Sequence, residues 1–148
     1  MRLIDSYTET SEVVMPDATN NLGRTLGGWV LHRMDLGGVV AARRFARSQV
    51  VTASIERVDF HAPIDLGDIA VLTAYVYDTG ETSMQVRVDV TAERPSEGVE
   101  RETASSHLTF VAIDDEESVR PVPDLAVETD EERQLREAAM DAEEPPVP

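Results

Sequence analysis

The residue whose type and setting most need a chemical explanation is Asp35. It lies in the stretch LGGWVLHRMDLGGVVAARRFA (residues 26–46), flanked by Met34 and Leu36 and by two glycine pairs, Gly27–Gly28 and Gly37–Gly38. The apolar residues Leu26, Trp29, Val30, Met34, Val39, Val40 and Phe45 recur at helical spacing, and no proline interrupts them. That pattern predicts a helix. Leu31, Leu36, Ala41 and Ala42 fill its other sides, so the helix is expected to be buried around most of its circumference. A carboxylate in such a place is expensive unless something uses it. Shielded from water, a carboxylate becomes a stronger base, able to take a proton from a water attacking a carbonyl. Each glycine inside a helix costs about 1 kcal/mol relative to alanine, a cost tolerated where backbone must approach something closely. The residues alone leave a plainer alternative open, in which Asp35 caps a neighbouring loop or pairs with Arg33 or Arg43.

The elements that must position this helix follow from pattern. Residues 6–14 (SYTETSEVV) are predicted as a first strand and residues 15–23 (MPDATNNLG) as a turn-rich loop. After the helix, residues 50–60, 69–77, 83–91 and 103–113 are rich in β-branched residues, and 83–91 (SMQVRVDVT) alternates cleanly. Pro63 and Gly67 turn the chain after the second strand, Asp78-Thr79-Gly80 marks a hairpin, and residues 95–98 turn again. Beyond Arg120-Pro-Val-Pro, Thr129 with Glu132 three residues on is a capping-box signature. It predicts a short polar helix through about residue 141, followed by a frayed end, EEPPVP. The expected architecture is α+β: an antiparallel sheet wrapped around a long central helix, its strands following one another in sequence, with a short C-terminal helix. Residues 1–123 form the main domain and 124–148 an acidic extension.

Charge bounds the partners. Twenty-nine acidic residues face thirteen basic ones, a formal net charge of −16, and every basic residue is arginine. The acids cluster in loops and the tail. Self-repulsion of this size is tolerable when salt screens it, the Debye length being about 3 Å at 1 M. The composition resembles that of proteins from halophilic archaea. Nucleic acid, itself anionic, is excluded as an expected partner. No apolar run approaches the ~20 residues that span a bilayer, so no membrane association is expected. The N-terminus MRLIDSYTET lacks a signal-peptide core, which predicts a cytoplasmic protein. Cysteine is absent, which removes thiol chemistry. The three histidines, His32, His61 and His107, have no metal-ligand spacing, and no metal is expected.

The segments MPDATNNLGRTLGGWVLHRMD, VVTASIERVDFHAPIDLGD, HLTFVAID and RPVP together resemble the hotdog-fold acyl-CoA thioesterases of the acyl-CoA hydrolase group, over residues 13–123 or thereabouts. The resemblance implies a hotdog fold and hydrolysis of acyl-CoA to free acid and CoA, with CoA as part of the substrate and no separate cofactor. It places the catalytic pair on Asn20 and Asp35, and the amides that polarise the carbonyl on Gly27 and Gly28. By the same resemblance Gly80, Thr82 and Ser83 of the hairpin turn and Arg120 meet CoA, and Arg57 is a further candidate for its phosphates. Asp35 is expected to activate water, with direct attack through an anhydride as the second mechanism. A hotdog protein that binds acyl-CoA as a sensor or carrier is the alternative function. A hotdog dehydratase lacks support, because its aspartate-plus-histidine loop pairing is missing.

One geometric constraint needs no family. Gly27 and Asp35 are eight residues apart, about 12 Å along a helix axis, so one carbonyl cannot touch both. Two helices packed antiparallel about a twofold would bring Gly27 of one chain to Asp35 of the other. Self-association is therefore expected, as a dimer or as a trimer of dimers. The acidic composition makes its own prediction: the melting temperature should fall as sodium or potassium chloride is lowered from molar to ~0.1 M. A melting temperature that stays level or rises on dilution contradicts the halophilic reading.

Overall fold

The long helix α2 (Gly27–Ala46) lies across one face of a curved sheet, and close packing holds it there. The computed structural model describes residues 1–143, so the expected frayed end at 144–148 lies outside the described residues. Val30, Met34, Gly37, Gly38, Ala41, Ala42, Phe45 and Ala46 form the buried stripe of α2. The second glycine pair lets the helix sit down on the sheet. A Cβ at Gly37 would stand 2.3 Å from Leu72 Cδ2, and one at Gly38 2.9 Å from the Phe110 ring. The helix is not buried around most of its circumference, as the composition of its faces suggested. Gly28, His32, Leu36 and Val40 are exposed on the far side, because one sheet can cover only one face.

The sheet is antiparallel throughout, in the order β1-β3-β4-β5-β2. Its strands are β1 (Thr8–Val13), β2 (Gln49–Phe60), β3 (Ile69–Thr79), β4 (Ser83–Arg94) and β5 (Val99–Ile113). Met84, Val86, Val88, Val90 and Ala92 of β4 point toward α2, as the alternation requires. The pairing differs from the sequential arrangement expected. β2 pairs with β5 instead of its successor β3, so β2 and β1 are the two edges. The loop that carries the chain from β2 across to β3 is pinned at its end by buried Asp68. Burial alone would raise the Asp68 carboxyl, but Arg94 (3.0 Å) and the Asp65 N–H (2.9 Å) hold it below the ordinary carboxylate range. Arg101 ties the same loop down by donating to the Pro63 carbonyl at 2.8 Å.

The C-terminal helix α3 (Asp130–Glu143) begins at the expected capping box, with Glu132 N–H donating to Thr129 Oγ1 at 3.1 Å and Thr129 N–H to Glu132 Oε1 at 3.2 Å. Glu132 does more than cap. Its side chain is buried, and it accepts from Arg2 Nη2 at 2.8 Å and from Ile4 N–H at 3.1 Å. Ile4 belongs to a short N-terminal helix, α1 (Leu3–Ser6), which no local pattern announced. α3 covers Tyr75 and Tyr77 on the outer face of β3, and Tyr75 Oη donates to the Leu135 carbonyl at 2.7 Å. No described helix is long and apolar enough to cross a membrane.

Burial alone would raise the Glu132 carboxyl. Arg2 and the backbone N–H groups of Ile4, Glu128 and Thr129 outweigh it and hold the group at about 2, below the ordinary 4.5. A depressed carboxyl stabilises the fold above its unfolded value and loses that contribution as pH falls toward the folded one. Glu132→Gln should therefore be less stable than the parent at pH 7, and the gap should close between roughly pH 4.5 and 2. Chemical denaturation of both proteins across that range checks it. A gap that is absent at pH 7, or independent of pH, contradicts the assignment.

Candidate active site

The start of α2 is open. Leu26 at the N-cap position makes no side-chain cap, and the first turn contains no acid. Among the described residues, the N–H groups of Gly27 and Gly28 have no acceptor. Here the first glycine pair contrasts with the second. Nothing lies within 4 Å of a Cβ built on Gly28, and one on Gly27 would make only an ordinary 3.7 Å contact with Phe60. Packing does not require these glycines; what they do is leave two helix-start donors bare.

The preceding loop aims Asn20 at the same place. Its Oδ1 accepts from the N–H groups of Leu22 (2.9 Å) and Arg24 (3.2 Å), and its backbone N–H donates to the Arg24 carbonyl at 2.8 Å. The oxygen end of the side chain is thus spent on the loop's own turn, and the Nδ2 amide, a donor, is the end left over. Leu26 N–H bonds to the Ala18 carbonyl at 2.9 Å, fixing the loop against the helix start. Asn20 and Gly27 line one cavity of about 410 Å³, walled by Phe60, His61 and Ile64 and rimmed by Arg24.

Asp35 does not line that cavity. It sits about two turns further along α2, half-buried rather than enclosed, because the face beside it is open in a single chain. Its Oδ1 accepts from Thr52 Oγ1 of β2 at 2.8 Å. Thr52 carries no local signal. Only the tertiary placement of edge strand β2 beside the helix puts it there. Phe60 and His61 were likewise invisible as cavity residues, since they come from the last residue of that strand and the one just after it.

The remaining expected residues fall elsewhere. Gly80 N–H and the Ser83 carbonyl close the β3–β4 turn at 3.0 Å. The Thr82 carbonyl accepts from Ala112 N–H at 3.1 Å and the Glu81 carbonyl from Val122 N–H at 2.9 Å. Arg120 N–H in turn bonds to the Ala112 carbonyl at 3.0 Å, so this turn and Arg120 are neighbours. Arg57 is apart from them, in a bulge of β2 with φ +52, paired to Asp59 at 3.2 Å. His32 lies on the surface beside Arg33. His61 Nε2 is 3.2 Å from Ser105 Oγ, and buried His107 lies between Tyr77 Oη and Arg87. Among the described residues no group of three or more His, Asp or Glu is placed to hold a metal ion.

Gly28 does not line that cavity, so the Gly27 amide and the Asn20 side chain are the donors that face it. Donors of this kind, with a carboxylate to act as base, are what an acyl-transfer site needs. Residues 22–99 match the thioesterase superfamily. A Bacillus subtilis relative, the uncharacterized acyl-CoA thioester hydrolase YkhA, is 39% identical over 127 residues, spanning 86% of this chain and 74% of its own. The chain belongs to the thioesterase superfamily. Its fold is the hotdog fold of that family's acyl-CoA hydrolases. A hexameric acyl-CoA thioesterase solved in its apo form superposes with a TM-score of 0.89 at 38% identity, over 97% of this chain and 92% of that one. The Staphylococcus aureus acyl-CoA hydrolase, solved with butyryl-CoA, CoA and CoA disulfide, superposes with a TM-score of 0.88 at 33% identity, over 95% and 86%. That hydrolase has also been solved as an asparagine-to-alanine, an aspartate-to-alanine and a threonine-to-alanine variant.

Proposed function

We propose that this thioesterase hydrolyses acyl-CoA, at a site completed by a second copy of the chain. The observation that carries this reading is the cavity at the start of α2, where the free Gly27 amide and the donor end of Asn20 face the same space. A thioester carbonyl seated there receives hydrogen bonds that strengthen as negative charge develops on its oxygen. Asp35 takes a proton from a water as that water attacks the carbonyl carbon. The tetrahedral intermediate collapses, the C–S bond breaks, and the proton returns to the departing CoA sulfur. Thr52 donates to Oδ1 of Asp35, which fixes the carboxylate and leaves Oδ2 for the water. The three variants of the Staphylococcus aureus enzyme support this set, for their asparagine, aspartate and threonine have the same spacing in sequence as Asn20, Asp35 and Thr52.

Asp35 and Gly27 of one chain are about 12 Å apart along α2, so Asp35 comes from the partner. Two features favour a second copy as the missing cover. The open face of α2 exposes Leu36 and Val40, and the edge strand β2 exposes Val51, Ile55 and Phe60. An apolar edge strand left unpaired is a ready template for another chain.

Replacing Asp35 with asparagine keeps its shape and removes the base, so kcat for a short acyl-CoA should fall by ~10² or more with the melting temperature unchanged. Asn20→Asp keeps the oxygen that its loop needs and loses the donor, and should give a comparable loss in a folded protein. Asp35→Asn activity within about threefold of the parent contradicts the assignment.

A further inference from the structure

Protein interiors are close-packed, and voids much larger than a water molecule are few. Beneath α2, on the side of edge strand β1, lies a second cavity of about 260 Å³. Trp29, Arg33, Leu36 and Val40 bound it along the helix, three or four residues apart on one face. Ala70 and Leu72 of β3 and Val90 of β4 form its floor. Its two charged residues neutralise each other. Arg33 donates to both carboxylate oxygens of Glu12, at 2.8 and 3.1 Å, and its guanidinium lies 4.9 Å over the Trp29 ring. Both partners of that pair are partly exposed, so they stand at the mouth. A ligand inside meets hydrocarbon, one indole and a closed ion pair.

This cavity adjoins the candidate active site. Val30, nearly one turn beyond Gly27, is buried and lines both spaces. Below it, Val90 of the one cavity and Ala104 of the other face each other across β4 and β5. The two spaces therefore lie side by side between helix and sheet, with one valine between them. A chain attached to a carbonyl held at Gly27 has an apolar channel next to it, running along α2. Leu36 and Val40 both line that channel and remain exposed, so a second copy packed on them roofs it.

We propose that this cavity takes the hydrocarbon of the acyl group, and that the substrates are acyl-CoAs with an unsubstituted chain of medium length. The assignment rests on the acyl-CoA reading above. Two measures of capacity agree. Benzene occupies an engineered apolar cavity of ~150 Å³, or ~25 Å³ per carbon, so 260 Å³ holds about ten carbons. From Val30 to Val40 the helix rises about 15 Å, the length of an extended chain of about twelve bonds. The ion pair at the mouth sets the other limit. A chain ending in a carboxylate would carry its charge toward Glu12, with Arg33 already taken.

Trp29 is the only tryptophan in the chain, so its fluorescence reports on this cavity directly. An ω-bromodecanoyl-CoA bound to Asp35→Asn, which holds substrate with little turnover, should quench that fluorescence well beyond the effect of decanoyl-CoA. In the parent, kcat/KM should rise from butyryl- to decanoyl-CoA and fall again for palmitoyl-CoA. Ala70→Phe fills the floor of the cavity and should lower kcat/KM for decanoyl-CoA about tenfold or more, leaving butyryl-CoA within about twofold. Ala70→Leu should move the profile the same way by less, and serves if the larger side chain prevents folding. Equal quenching by the two ligands, or an unchanged chain-length profile in a folded Ala70 variant, overturns the site. If the parent hydrolyses none of these thioesters, the acyl-CoA reading fails. Quenching by free ω-bromodecanoic acid then still decides whether the cavity takes an alkyl chain.

Discussion

An α-helix holds residues eight apart at a separation of about 12 Å and cannot be bent to shorten it. α2 carries bare amides at its first turn and a carboxylate at the far end of that length, and most of the molecule's organisation answers to this. The close seating of Gly37 and Gly38 on Leu72 and Phe110 fixes the helix against its sheet, so the separation is rigid. Donors and base then meet only if another helix runs past in the opposite sense. The exposed apolar residues of α2 and of edge strand β2 are where that second helix and sheet would bind.

The same constraint gives meaning to how charge is distributed. Acids outnumber arginines by more than two to one, and most arginines are consumed in ion pairs that fasten loops and termini. Arg94 and Arg101 hold the β2–β3 crossing, and Arg2 holds the two ends of the chain together through Glu132. Among the described residues, the arginines without an ion pair line cavities at the two ends of α2.

How much of this was legible in the sequence depends on how local each feature is. The helix, the clean alternation of β4 and the Thr129–Glu132 cap are written in short spacings, and all three stand in the structure. Asp35 was conspicuous because a lone carboxylate among apolar residues violates its surroundings. The pairing of β2 with β5 was not legible, because nothing local distinguishes a strand that joins its successor from one that crosses to the far edge. Thr52 was hidden for the same reason, its role existing only once that crossing is made. The reading of α2 as nearly all buried failed in an informative way. Its apolar residues do extend around the helix, but one sheet covers half of them, and the rest mark a surface that a partner would bury.

The central claim is that each site takes Asn20 and the Gly27 amide from one chain and Asp35 from the other. Mixed dimers test it most directly. Asn20→Ala and Asp35→Ala chains, each nearly inactive alone, are co-expressed with different tags and the doubly tagged species is purified. One of its two sites is then whole and the other lacks both groups, so it should recover about half the parental rate. A doubly tagged species as inactive as either single variant, while still binding CoA, would mean that both groups serve the same site from the same chain.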